Sequence, residues 1–87
     1  MNVTFSKRGW EDYLSWQDVD KKTLRRLNKI INDISRSPYE GIGEPEELRH
    51  DLSGWWSREI DGKNRIVYRV SDGSIEIDHC RGHYNDH

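Results

Sequence analysis

Residues 55–80 read WWSREIDGKNRIVYRVSDGSIEIDHC. Three runs rich in β-branched and aromatic residues are separated by two Asp-Gly pairs, in DGKN and SDGS, which predicts three strands joined by two hairpins. With Gly62-Lys63 and Asp72-Gly73 as the hairpin tips, Ile66, Tyr68, Val70, Ile75 and Ile77 share the face that packs on the core. Trp56, Arg58, Ile60, Arg65, Val67 and Arg69 then share the other face. An open sheet face with three arginines and an indole suits a polyanion, held by charge and by a base stacked on the ring.

Working outward, NVTF at residues 2–5 has strand composition, and Ser6 is placed to cap a helix in SKRGWEDYLSWQ. Trp10, Tyr13 and Leu14 follow the i, i+3, i+4 spacing of an apolar stripe facing the core. Asp18 or Asp20 caps a second helix, in which Leu24, Leu27, Ile31 and Ile34 hold one face while Lys21, Lys22, Arg25, Arg26 and Lys29 gather on another. Pro38 lies beyond the end of that helix. The stretch SPYEGIGEPEELRHDLSG then forms a long connection with Gly41, Gly43 and Pro45, the kind of ordered loop that often carries function. The resulting order, β-α-α-β-β-β, is an α+β fold with two N-terminal helices packed on a mainly antiparallel sheet.

The chain of 87 residues is expected to form one domain spanning 1–87, because so short a chain has no material for a second core. Hydrophobic residues are 32% and charged residues 34%, but four Trp and four Tyr supply the bulk a small core needs. The single Cys80 excludes an internal disulfide, and no leader-like or membrane-length apolar run is present, which predicts a cytoplasmic protein with no membrane partner. A net charge of -2 argues against gripping free nucleic acid by bulk charge.

Two clusters invite chemistry. The tail DHCRGHYNDH, residues 78–87, holds His79, Cys80, His83 and His87. His83 and His87 have helical spacing but follow Gly82 at a chain end, and His79 and Cys80 on a strand point apart, so the spacing does not converge on a metal and no metal or cofactor is expected. The basic stretch from Lys21 to Lys29 is by default a solvated helix face, and its sharper reading is a contact with RNA phosphates. A third set is dispersed: Glu46 in the Gly/Pro-rich loop, Arg65 on the open face and His83 near the terminus. A carboxylate, a guanidinium and an imidazole can serve as general base, phosphorane stabiliser and general acid in a transesterification whose nucleophile is the RNA 2'-hydroxyl. Spacing alone does not single out these three.

The segments WEDYLSWQDVDKK, RSPYEGIGEPEELRHDLSGWWSREI, RIVYRV and CRGHY together closely resemble the YoeB-type (Txe) toxins of the RelE/ParE superfamily, from about Val3 to Tyr84. The resemblance implies a RelE-like fold and a ribosome-dependent endoribonuclease that cuts mRNA in the A site. It also implies a cognate antitoxin and frequent homodimers. By motif it assigns Glu46 in GEPEEL as general base, Arg65 in RIVYRV as the transition-state arginine, His83 as general acid, Tyr84 as a substrate-positioning aromatic and Arg58 as a phosphate contact. Two positions depart from the family pattern: Glu59 stands where W-S-R-R-I has its second arginine, and Gly82 replaces a bulky residue. The rival reading, a gyrase-inhibiting ParE-like binding module, is disfavoured by the joint presence of Glu46, Arg65 and His83.

The second hairpin's register pairs Arg65 with Cys80, which puts His83 on the face away from the arginine. Catalysis by His83 therefore requires the strand's alternation to break between Cys80 and His83, with Gly82 as the expected bend and His79 packed at the sheet.

Overall fold

The computed structural model describes residues 1–83. Strand β1 (Asn2–Phe5) leads into helices α1 (Lys7–Val19) and α2 (Lys21–Arg36). Strands β2 (Glu46–Glu47), β3 (Trp56–Glu59), β4 (Arg65–Ser71) and β5 (Ser74–His79) follow, with a 3-10 turn at His50–Leu52. The sheet order is β1-β5-β4-β3-β2, antiparallel except for β1 alongside β5. The α+β class is as expected, with one strand more than anticipated. That strand, β2, lies inside the segment read as loop and is imposed by pairing with β3 rather than by local propensity.

Local chemistry sets the helix ends. The Ser6 hydroxyl accepts the Gly9 N–H at 3.0 Å and donates to the Asp78 carbonyl at 2.6 Å, tying the start of α1 to β5. Asp20, rather than Asp18, caps α2 by accepting the N–H groups of Lys22 and Thr23, each at 3.1 Å. Hydrogen bonds from Thr23 and Lys22 hold the Asp20 carboxyl below its ordinary pKa. The apolar face of α2 is Leu27, Ile30, Ile31 and Ile34, all buried, with Leu24 at its margin. Helix α1 is rotated from the expected stripe: Gly9 and Trp16 face the sheet, while Trp10 and Leu14 are 47% and 41% exposed. The cause is close approach. A Cβ on Gly9 would sit 2.7 Å from the Ile77 carbonyl oxygen. One turn on, Asp12 accepts the Cys80 N–H at 3.1 Å, and the Trp16 indole donates to the Cys80 carbonyl at 2.9 Å. Trp10 packs instead with Phe5 and Tyr13, its ring centroid 5.5 and 5.9 Å from theirs.

The second hairpin is as read, with Ser71 opposite Ser74 and both Asp72 and Gly73 at positive φ. The first is not. Asp61 accepts the N–H groups of Lys63 and Asn64, each at 2.8 Å, and the Ile60 N–H reaches the Asn64 carbonyl, so the loop spans an odd number of residues. Glu59 therefore pairs with Arg65 and Arg58 with Ile66, one step from the expected register, and every side chain of β3 changes face. Trp56, Arg58 and Ile60 lie beneath the helices with Tyr68 and Ile66. Ser57 and Glu59 join Arg65 and Val67 on the opposite face.

Arg58 is fully buried and uses all five N–H donors. Nε bonds the Tyr68 hydroxyl at 3.2 Å, Nη1 bonds Asp33 and the Ile42 carbonyl, and Nη2 bonds the Ser37 and Glu40 carbonyls. Tyr68 in turn donates to the Pro38 carbonyl at 2.6 Å. Burial pushes the Tyr68 phenol pKa up. The hydrogen bond from Arg58 holds the Asp33 carboxyl below its ordinary value of 3.8.

Replacing Arg58 with Met is expected to cost about 3 to 5 kcal/mol in denaturant titration, because it removes the buried cation paired with Asp33 and the donors to the Ser37, Glu40 and Ile42 carbonyls. Since Asp33 titrates lower folded than unfolded, its contribution is fully present above pH 3.8 and disappears as pH falls through the depressed folded value. Asp33→Asn should flatten that acid limb of a stability-versus-pH curve.

Candidate active site

The face of the sheet away from the helices carries the residues of interest. Glu46, exposed on β2, sits across from Ser57, which sits across from Val67. One pleat along β3, Glu59 lies opposite Arg65. The Arg65 Nε–H donates to the Ser57 hydroxyl at 3.1 Å, and Nη1 is 3.9 Å from a Glu59 carboxylate oxygen. Ser57 thus joins the arginine to the strand position facing Glu46. Neither Ser57 nor its partnership was visible in the sequence, because both depend on the register of the first hairpin.

The chain leading to His83 departs from regular alternation twice. A bulge between β4 and β5 moves the register so that Val67 faces His79 while Tyr68 faces Ile77. Regular pairing stops at His79, which is buried with its Nδ1 2.8 Å from the Asp78 carboxylate. Cys80 and Arg81, consecutive in the chain, both reach α1: the Cys80 thiol lies 3.6 Å from the Gly9 carbonyl, and Arg81 Nη1 is 2.9 Å from the Ser15 hydroxyl. Burial pushes the Cys80 thiol up to about 12, so it stays protonated. Gly82 then adopts a φ of 89°, donates its N–H to the Asn64 side chain at 2.8 Å and accepts the Arg65 N–H at 2.9 Å. The break expected between Cys80 and His83 is present, with Gly82 as its left-handed residue and a bulge preceding it. The main chain of Arg65 is bonded directly to the residue before His83, which is exposed.

Other candidates divide between the two sides. Arg69 lies on the same face as Arg65 and pairs with Glu76, its cross-strand neighbour, at 2.9 Å while stacking 4.5 Å over the indole of Trp55. Trp55, not Trp56, is the ring of this face. Trp56 packs under the helix side against Tyr39, centroids 4.8 Å apart. Arg58 is likewise removed from the open face, since its five donors are all consumed internally. Lys21, Lys22, Arg25 and Lys29 are exposed and Arg26 partly so, all on α2, across the sheet from Glu46 and Arg65. Tyr84 and His87 lie outside the described residues. Among those described, no group of three or more His, Cys, Asp or Glu is arranged to hold a metal ion, and no helix is long and apolar enough to cross a membrane. A cleft of about 600 Å³ runs beside Glu46 and is lined also by Arg49, His50 and Asp51. Arg49 and His50 were not singled out by the sequence, where they read as loop.

Two helices on one side of a mixed five-stranded sheet, with this polar face on the other, define the fold of the RelE/YoeB-type toxins. The family model of the YoeB-like toxin of bacterial type II toxin-antitoxin systems matches residues 5–84, and the chain belongs to that family. Toxin YoeB of Streptomyces coelicolor is 48% identical over 84 residues, covering 97% of this chain and all of the relative. The YoeB/ParE toxin from Agrobacterium tumefaciens superimposes with a TM-score of 0.93 at 40% identity, covering 97% of this chain and 100% of that one. YoeB of Staphylococcus aureus, 42% identical over 97% of this chain and 98% of its own, has been solved as a dimer, TM-score 0.90, and in a heterotetrameric complex with YefM, TM-score 0.89.

Gly82→Ala is expected to lower stability by about 1 to 2 kcal/mol in urea titration, since a Cβ is penalised at a left-handed φ. Gly82→Asn should recover part of the loss, because Asn tolerates that backbone better.

Proposed function

We propose that this toxin acts as one 87-residue domain and is a ribosome-dependent endoribonuclease, cleaving mRNA in the A site by general acid/base catalysis. The observation that carries the reading is the sharing of one sheet face by Glu46, Ser57 and Arg65, with Arg65 bonded through its N–H to the residue preceding His83. In this mechanism Glu46 takes the proton of the RNA 2'-hydroxyl, the freed oxygen attacks the adjacent phosphorus, and the bond to the 5'-oxygen breaks. Arg65 balances the charge that develops on the phosphorane. His83 gives a proton to the departing 5'-oxygen, leaving a 2',3'-cyclic phosphate and a 5'-hydroxyl. Tyr84 orients or stacks on the substrate, and the Trp55–Arg69 pair takes the base-stacking role first assigned to Trp56.

The basic face of α2 has a different task in this reading. Being across the sheet from the catalytic row, Lys21, Lys22, Arg25, Arg26 and Lys29 contact ribosomal RNA phosphates while the other face holds mRNA. Delivery by the ribosome suits a chain of net charge -2, which has little general affinity for loose RNA. The protein works in the cytoplasm, where its substrate is translated, is neutralised by a cognate antitoxin as S. aureus YoeB is complexed with YefM, and forms a homodimer as that toxin does.

Added to a translating extract, the protein should generate codon-positioned mRNA ends carrying cyclic phosphate. Glu46→Gln and His83→Gln should each slow cleavage by roughly a hundred- to ten-thousand-fold while ribosome binding persists. Intact messages together with stalled replication would instead favour the gyrase-inhibiting module.

A further inference from the structure

We infer that Glu59 is a positioning residue: its carboxylate holds the Arg65 guanidinium in the site's resting state and must yield it to the RNA phosphate, which sets how readily this toxin engages its substrate. The inference rests on the proposed phosphate-binding role of Arg65. Glu59 and Arg65 are directly opposed on β3 and β4, so their side chains leave the same face of the sheet within reach of each other. The guanidinium is held on two sides, by the Ser57 hydroxyl on Nε and by Glu59 beside Nη1. Ser57 is buried and cannot leave. Glu59 is 45% exposed and Arg65 only 15%, so the carboxylate is the arm that can swing into water while the arginine stays in place.

A phosphate oxygen approaching Nη1 from the open face meets a group of its own charge already in that position. Arg65 is thus kept oriented without substrate, but an anion must displace Glu59 or share the guanidinium with it. The pair is long and half-solvated, which makes displacement easy and its effect on affinity modest, roughly three- to tenfold. Neutralising Glu59 should remove the competitor while leaving Ser57 to orient the arginine.

The test reads Arg65 directly. In protein labelled with ¹⁵N-arginine, the Nε–H signal of Arg65, assigned by its loss in Arg65→Lys, is followed while inorganic phosphate is added. Glu59→Gln is expected to lower the phosphate concentration at the midpoint roughly three- to tenfold relative to the unmodified protein. An unchanged or raised midpoint overturns the inference. Cleavage of ribosome-bound mRNA is measured on the same two proteins, and Glu59→Gln should raise kcat/KM by a similar factor. A shifted midpoint without cleavage by either protein would sustain the Glu59 clamp and sink the ribonuclease reading. Cleavage by both with no shift would do the reverse.

Discussion

The buried guanidinium of Arg58 is the constraint on which the rest of this small fold depends. It joins α2 through Asp33, β4 through Tyr68, and the connecting segment through the carbonyls of Ser37, Glu40 and Ile42. The segment carrying Gly41, Gly43 and Pro45 has Ile42 against the core and Tyr39 against Trp56, but no regular secondary structure to satisfy its own carbonyls. Its backbone carbonyls turn inward and find a single cation with enough fixed donors to satisfy them. A lysine could supply charge but not the planar fork. One of its five donors meets the Asp33 carboxylate, and the other four satisfy neutral oxygens that would otherwise be unmet. Because that segment leads directly into β2, Arg58 also determines where Glu46 stands.

The site is assembled at the other side of the same strand. Arg58 and its neighbours Ser57 and Glu59 alternate across the sheet, so burying the arginine on one side obliges the serine and glutamate to meet Arg65 on the other. Structural and candidate catalytic arginines are distinguished by surroundings: Arg58 spends all five donors inside the core, whereas Arg65 meets the Ser57 hydroxyl and a half-solvated carboxylate on the face away from the helices. The polar cluster at the end of β5 contributes through geometry. His79 is buried, Cys80 is held protonated against α1, and Gly82 turns the chain so that its carbonyl accepts from Arg65.

Much of this was legible from residue patterns, and the exceptions share a cause. Helix α2, both helix caps and the second hairpin follow local rules, and Ile66, Tyr68, Ile75 and Ile77 were placed on the correct face. The first hairpin was misread because Asp61 closes its turn with two backbone N–H groups, an arrangement that Asp-Gly in the sequence does not distinguish from a two-residue tip. One residue of slip then exchanged Trp56 and Arg58 for Trp55, Ser57 and Glu59 on the open face. The stripe on α1 failed at Trp10 and Leu14 because a glycine and an aspartate make the contacts with β5, and hydrophobicity does not report either. Strand β2 consists of two glutamates whose extended form is dictated by β3. Arg65 was placed on the right face because the second hairpin alone governs β4.

The parallel pairing of β1 with β5 has a consequence for how the molecule comes into being. The first strand pairs with Ser74–Ile77, and the Cys80 backbone groups that clamp Asp12 and Trp16 lie 68 and 64 residues further along the chain. Helices α1 and α2 can form early, but the strand pair they lie beside is missing until β5 has been made, and such distant pairings close slowly. A growing chain therefore presents helices without a finished sheet, and any partial product ending before β5 has neither a completed core nor the turn at Gly82. The connectivity makes β5 the element that closes the fold, so a chain that stops before it lacks the partner that β1 and α1 both require.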